Sequence, residues 1–175
     1  MVFIIETKFE VLEMASIKRK LERQQGLVVP SVRRGGGLAL LWKSSTRVDV
    51  QTYSPRHIDA IVIELSSCFR WRITGFYGHS DTHKSNDSWK LLTSLHHRFQ
   101  LPWLCLKDFN EIILMVEKWG GVQRSQHQMD GFRNAINYCN FRDLGYNGSE
   151  FTWCNMRERF DKIYMPLDRA LATDE

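Results

Sequence analysis

Apolar positions come in two rhythms along this chain, every second residue and every third or fourth, and the changes between them divide it into strands and helices. Val2 to Ile5 reads as a short buried strand with Glu6 and Thr7 at its C-terminal end. From Phe9 to Arg23, Met14, Ile17 and Leu21 recur at helical spacing and the opposite side carries Lys18 and Lys20, which predicts an amphipathic helix ended by Gly26. Leu27 to Val29 is a short strand stopped by Pro30, and a basic glycine turn, Arg33 to Gly37, follows. Leu38 to Trp42 is wholly apolar and is expected to be buried on both faces. Arg47 to Tyr53, Ile58 to Leu65 and Phe69 to Tyr77 are β-rich with short connections, the signature of an antiparallel meander. In the last of them Phe69, Trp71 and Ile73 share one face and Arg70 and Arg72 the other.

Gly78 to Asn86 is a polar loop. Asp87 to Phe99 has a helical stripe of Leu91, Leu92, Leu95 and Phe99, with Asp87 near its positive end. Leu101 to Glu111 starts apolar and ends in Asp108, Phe109, Asn110 and Glu111. A long connection, broken at Gly120-Gly121, leads to a second amphipathic helix at Met129 to Phe141, with Phe132, Ile136 and Cys139 inward. Arg142 to Leu144, a turn at Asn147-Gly148, Phe151 to Cys154 and Leu167 to Ala172 complete the chain. This order predicts an α/β (α+β) fold of sheets with helices outside, and 175 residues suit a single domain.

Hydrophobic residues make up 43%, which excludes a disordered chain. No run approaches a membrane span, and Met1 to Ile5 is too short for a signal peptide, so a soluble intracellular protein without a membrane partner is expected, the nucleus being one compartment open to it. Cys68, Cys105, Cys139 and Cys154 form no CxxC pair and read as reduced thiols rather than zinc ligands. Residues 1–50 hold nine basic and five acidic side chains (9 − 5 = +4), and the remaining residues hold fifteen of each, so the net charge of +4 is all N-terminal. Lys18, Arg33 and Arg34 are therefore candidate nucleic-acid contacts; a solvated helix face plus a basic loop accounts for the same charges.

Four places share one grammar, a polar residue closing an apolar β-type run: Glu6, Tyr77, Asp108 with Asn110, and Asp168. Ligands in open α/β sheets bind outside the carboxyl ends of strands. Carboxylates with an amide suit a hard cation such as Mg²⁺, which assists attack on phosphate esters.

Seven motifs in order resemble the endonuclease/exonuclease/phosphatase superfamily: Glu6-Thr7-Lys8, Gly36 to Trp42, Gly75 to Gly78, Pro102 to Glu111, Glu117 to Gly121, Phe151-Thr152-Trp153 and Leu167 to Ala172. The likeness is greatest to the endonuclease domain of plant non-LTR (LINE-type) retrotransposons. It implies a DNase I-like four-layer sandwich, two mixed β-sheets flanked by helices. It also implies Mg²⁺-dependent phosphodiester hydrolysis (Mn²⁺ as a substitute) on DNA, with RNA as the alternative; the oligomeric state is open, a monomer being favoured. By position Glu6 resembles the metal ligand, Tyr77 the phosphate contact, Asp108 the group that orients or deprotonates water, Asn110 the phosphate-holding amide and Asp168 a supporting acid.

Several departures qualify this. Lys107 stands where the family usually has glycine before Asp-Phe-Asn, and Pro166 where arginine is common. An earlier strand with a metal-site Asn and a final Ser-Asp-His segment have no counterparts in these 175 residues, so a truncated member with weak or lost activity is expected. An inactive retroelement-derived remnant that at most binds nucleic acid, and a phosphatase of a small or lipid phosphate ester, are the alternative readings.

Overall fold

Strand pairing follows the alternation closely in the first half of the chain. The computed structural model describes residues 1–7, 11–31, 36–158 and 161–174. They fall into two compact units, 1–77 with 101–105, and 78–100 with 106–175. Phe9, Arg33, Arg34 and the side chain of Met14 lie outside the described residues.

In the first unit β1 (Val2–Ile5), β2 (Gln25–Val29) and β3 (Leu38–Trp42) form an antiparallel sheet with β3 in the middle. Every residue of β3 is buried, as its unbroken apolar run requires. Helix α1 (Val11–Lys20) connects β1 to β2, and its Ile17 packs with Ile4 and Val28 against Ala39 and Leu41. The expected meander is present: β4 (Arg47–Ser54), β5 (His57–Ile63) and β6 (Arg70–Phe76) pair antiparallel in order. β7 (Trp103–Asp108) begins beside β6, where the Arg72 N–H donates to the Pro102 carbonyl at 2.8 Å. The ring of Phe3 lies on β6 at Gly75, where an added Cβ would sit 1.8 Å from a ring carbon.

Two expectations fail here. Gly26 does not end α1; it lies inside β2, where a Cβ would come within 2.6 Å of the Leu40 carbonyl. The helix ends at Lys20, and Glu22 takes the left-handed turn (φ 53°) usually left to glycine. Leu21 follows the helix and is exposed. On the Arg70–Arg72 side of β6, Arg72 is wholly buried. Its guanidinium donates to both Asp59 oxygens (2.8 and 3.0 Å) and lies 4.2 Å from the Trp103 ring centre. Thr74 donates to Asp59 at 2.6 Å and accepts the Trp103 indole N–H at 2.8 Å. A buried ion pair needs this kind of full satisfaction to persist.

The second unit carries α2 (Ser85–His96) and α3 (Gln126–Tyr138), packed together with Trp89 stacked on Phe132 at 4.6 Å. Both begin two or three residues before the expected starts and end three before the expected ends. The last residues of β7 are followed across the sheet by β11 (Asp168–Ala172) and then β8 (Arg142–Asp143). β9 (Trp153–Cys154) pairs with β10 (Tyr164–Met165), a strand too short to show alternation. Trp119 bridges to Tyr164, so the Gly120-Gly121 break turns directly beside β10. Ile112, Met129, Met165 and Leu167 form a buried cluster beneath it.

The architecture is mixed α/β, with two main sheets and flanking helices. All four cysteines are free; Cys105 and Cys139 are buried, Cys68 is exposed and Cys154 lies between. Among the described residues no helix is long and apolar enough to cross a membrane.

Candidate functional site

Glu6 and Tyr77, 71 residues apart, meet in the first unit. β1 stops at Ile5 and Glu6 leaves it in the left-handed region, φ 49°. Tyr77 follows β6, and its N–H donates to the Arg56 carbonyl at 2.8 Å. Its hydroxyl donates to Glu6 Oε1 at 2.7 Å. The Arg56 guanidinium carbon lies 5.5 Å from the Tyr77 ring centre, a cation–π approach. Burial holds Arg56 below the ordinary guanidinium pKa, and attraction to Tyr77 opposes that shift.

Asp108, Asn110 and Asp168 are gathered in the second unit. The Asn110 N–H donates to Asp108 Oδ1 at 2.8 Å, and its side-chain amide donates to the Gly78 carbonyl at 3.0 Å. The Gly78 N–H donates in turn to the Asp108 carbonyl at 2.8 Å. Glycine is required there, because a Cβ on Gly78 would fall 2.2 Å from the Phe109 carbonyl oxygen. The Phe109 N–H donates to the Leu167 carbonyl at 3.0 Å, which sets Asp168 beside the end of β7. The Asp168 N–H donates to Thr152 Oγ1 at 3.0 Å, so the Phe151-Thr152-Trp153 and Leu167-Asp168-Arg169 motifs touch.

Lys18 is placed elsewhere. Its ammonium donates to the Gly26 carbonyl at 3.3 Å, and Gly26 pairs with Leu41, as does Val2. That is the end of the three-stranded sheet where β1 starts, opposite the end that delivers Glu6.

Two ion-pair systems escape notice in a residue-by-residue reading. Glu117 accepts from the Ile113 N–H at 2.8 Å and from Arg169, which also donates to Asp143 at 2.6 Å. Glu111, only 1% exposed, pairs with Arg124 at 2.8 Å. Glu117, Arg169 and Glu111 all lie inside the quoted motifs, and an acid or arginine inside a motif is the signal that points to them.

Lys107 has φ +106°, a backbone state that side chains strain to adopt and glycine adopts freely. Glycine at this position is therefore a conformational requirement that lysine meets under strain. Such strain costs about 1–3 kcal/mol, and glycine's greater freedom in the unfolded chain offsets about 0.5–1 kcal/mol of it. Lys107→Gly is expected to raise the urea midpoint by an amount equivalent to about 1 kcal/mol. A lowered midpoint would contradict the strain.

No family model and no curated protein matches this sequence. Solved structures do. The 3′ phosphatase NExo from Neisseria, bound to product DNA hairpin, aligns over 98% of this chain and 75% of its own, with 11% identity and a TM-score of 0.68. The endonuclease domain of TRAS1, a telomere-specific non-LTR retrotransposon, aligns over 99% of this chain and 86% of its own, with 9% identity and a TM-score of 0.61. An AP endonuclease from Archaeoglobus fulgidus aligns over 98% and 75%, with 13% identity and a TM-score of 0.66. The chain thus has the DNase I-like fold of the endonuclease/exonuclease/phosphatase structures.

Proposed function

We propose that this protein hydrolyses phosphodiesters of nucleic acid with a divalent cation, Mg²⁺ or Mn²⁺, in the manner of a retrotransposon-type endonuclease, DNA being the favoured substrate over RNA. The observation that carries the reading is the 2.7 Å hydrogen bond from Tyr77 to Glu6, two residues singled out separately as strand-end groups.

The donor chemistry fits a hard cation. Among the described residues there is no cluster of three His, Cys, Asp or Glu side chains. Mg²⁺ is commonly held by one or two carboxylates, several waters and the substrate phosphate, so a single exposed carboxylate meets that habit. Glu6 would hold the ion; Tyr77 occupies one of its oxygens and fixes the carboxylate's direction. When bound, such an ion neutralises charge on a phosphoryl oxygen.

The chain's own groups supply the rest. Asp108 accepts the proton of the attacking water. Asn110 has a second amide hydrogen beyond the one given to Gly78, available to a phosphate oxygen. Asp168 would be the supporting acid; it follows Leu167, whose carbonyl accepts the Phe109 N–H at the end of β7.

The test is nicking of supercoiled plasmid by the purified chain in Mg²⁺, with EDTA as control. Metal-dependent conversion to open circles is expected; intact plasmid in the presence of folded protein would sink the proposal. A second reading, a chain that binds nucleic acid without cleaving it, is favoured by one observation, the strained Lys107 beside Asp108. Plasmid retarded on a gel but left uncut would support it.

A further inference from the structure

Asn110 holds a left-handed backbone, φ 55°, at the end of β7. Asparagine tolerates this region better than most residues, yet the conformation must still be fixed from outside. Its N–H is bonded to Asp108 and its side-chain amide to Gly78. Its carbonyl is fixed by a residue fourteen positions on: Arg124 Nη2 donates to it at 3.0 Å.

The same guanidinium donates through Nε to Glu111 Oε1 at 2.8 Å. The Glu111 side chain is 1% exposed and that of Arg124 18%. Glu111 Oε1 also accepts the Ile112 N–H at 3.0 Å, while Oε2 is buried with no hydrogen-bond partner among the described residues. Enclosing a carboxylate is costly unless a cation pairs with it, and Arg124 is that cation. Arg124 is itself followed by Ser125, whose extended backbone opens α3. The guanidinium therefore ties Asn110 to the start of a helix. Its planar fork reaches two acceptors at once, which a lysine ammonium at the same place could not reproduce with fixed geometry.

We propose that Arg124, seated on Glu111, is a positioning residue for Asn110: it locks the main-chain carbonyl so that the side-chain amide meets a phosphodiester in one orientation. The effect on catalysis rests on the nuclease reading above; the effect on Asn110 does not.

The variant that decides is Glu111→Leu with Arg124→Met, which removes both buried charges together and avoids leaving one unpaired. Two readouts are taken: hydrogen exchange at the Asn110 amide, and kcat and KM for plasmid nicking. Exchange at Asn110 is expected to quicken while the β5 amides keep their protection. The kcat is expected to fall about 10–100-fold, the loss typical when a supporting hydrogen-bond partner is removed, with KM little changed. Wild-type exchange at Asn110 in the folded double variant would overturn the proposal, as would a defect confined to KM. Should the double variant not fold, Arg124→Lys keeps a charge beside Glu111 but loses the fork, and the same quickening at Asn110 is expected. If the wild-type chain nicks nothing, the nuclease reading fails alone, and the exchange result still decides the role of Arg124.

Discussion

Asp108→Asn is expected to slow metal-dependent nicking by about 10²–10⁴-fold, the usual cost of losing an acid–base group. In free-energy terms that is about 3–5 kcal/mol of transition-state stabilisation. The substitution is informative because it can keep the two hydrogen bonds that follow. Asp108 Oδ1 accepts the Asn110 N–H at 2.8 Å, and an asparagine side-chain oxygen can accept the same bond. Its main-chain carbonyl still receives the Gly78 N–H. The amide cannot accept a proton from water, so a loss of rate with an unchanged melting temperature isolates that one capacity. A variant that nicks as fast as the parent would remove Asp108 from the reaction.

Arg72→Met is expected to destabilise the protein by about 3–5 kcal/mol, the range for leaving one member of a buried ion pair without its partner. Against a typical total stability of about 5–15 kcal/mol, this is enough to unfold a marginal protein. Asp59, Arg72 and Thr74 are each fully buried, and Asp59 receives three hydrogen bonds, two from Arg72 and one from Thr74. Methionine supplies neither of the two from Arg72 and gives up the stacking on Trp103. Adding Asp59→Leu should recover much of the loss, because the two charges then leave together. Urea unfolding of the two single variants and the double measures the coupling directly. A double variant no more stable than Arg72→Met would mean that packing, not charge, dominates this layer.

The strand-rich first half was legible because it obeys local rules. The wholly apolar Leu38–Trp42 became a central strand, and short turns between alternating runs became neighbouring antiparallel strands. Alternation assigns a side chain to a face, but it does not say whether that face meets water. Arg72 shows the limit: its burial depends on Asp59 of β5 and Trp103 of β7, neither of which its own strand reveals. Gly26 was misread as a helix end because a glycine after a helical stretch usually caps it, whereas here it makes room for the Leu40 carbonyl. Among the candidate residues, the pairing of Glu6 with Tyr77 and the grouping of Asp108 with Asn110 follow from strand ends and could be anticipated. The Glu111–Arg124 and Glu117–Arg169 pairs could not, since each needs the folded path of the Ile112–Gln128 connection or of the last strands.

The first unit is not continuous in sequence: it takes residues 1–77 and then residues 101–105. Its buried arginine is stacked by Trp103, and Trp103 also donates to Thr74. A ribosome synthesising the chain from its N-terminus must therefore add the 23 residues of 78–100, all belonging to the other unit, before the first can close around Arg72. Until Trp103 emerges, Asp59 and Arg72 lie in a sheet that lacks the strand covering them. This assigns a definite moment to folding during synthesis. A nascent chain stalled so that β6 but not Trp103 has cleared the exit tunnel should be readily cut within β5 and β6, and one stalled far enough for Trp103 to clear it should not.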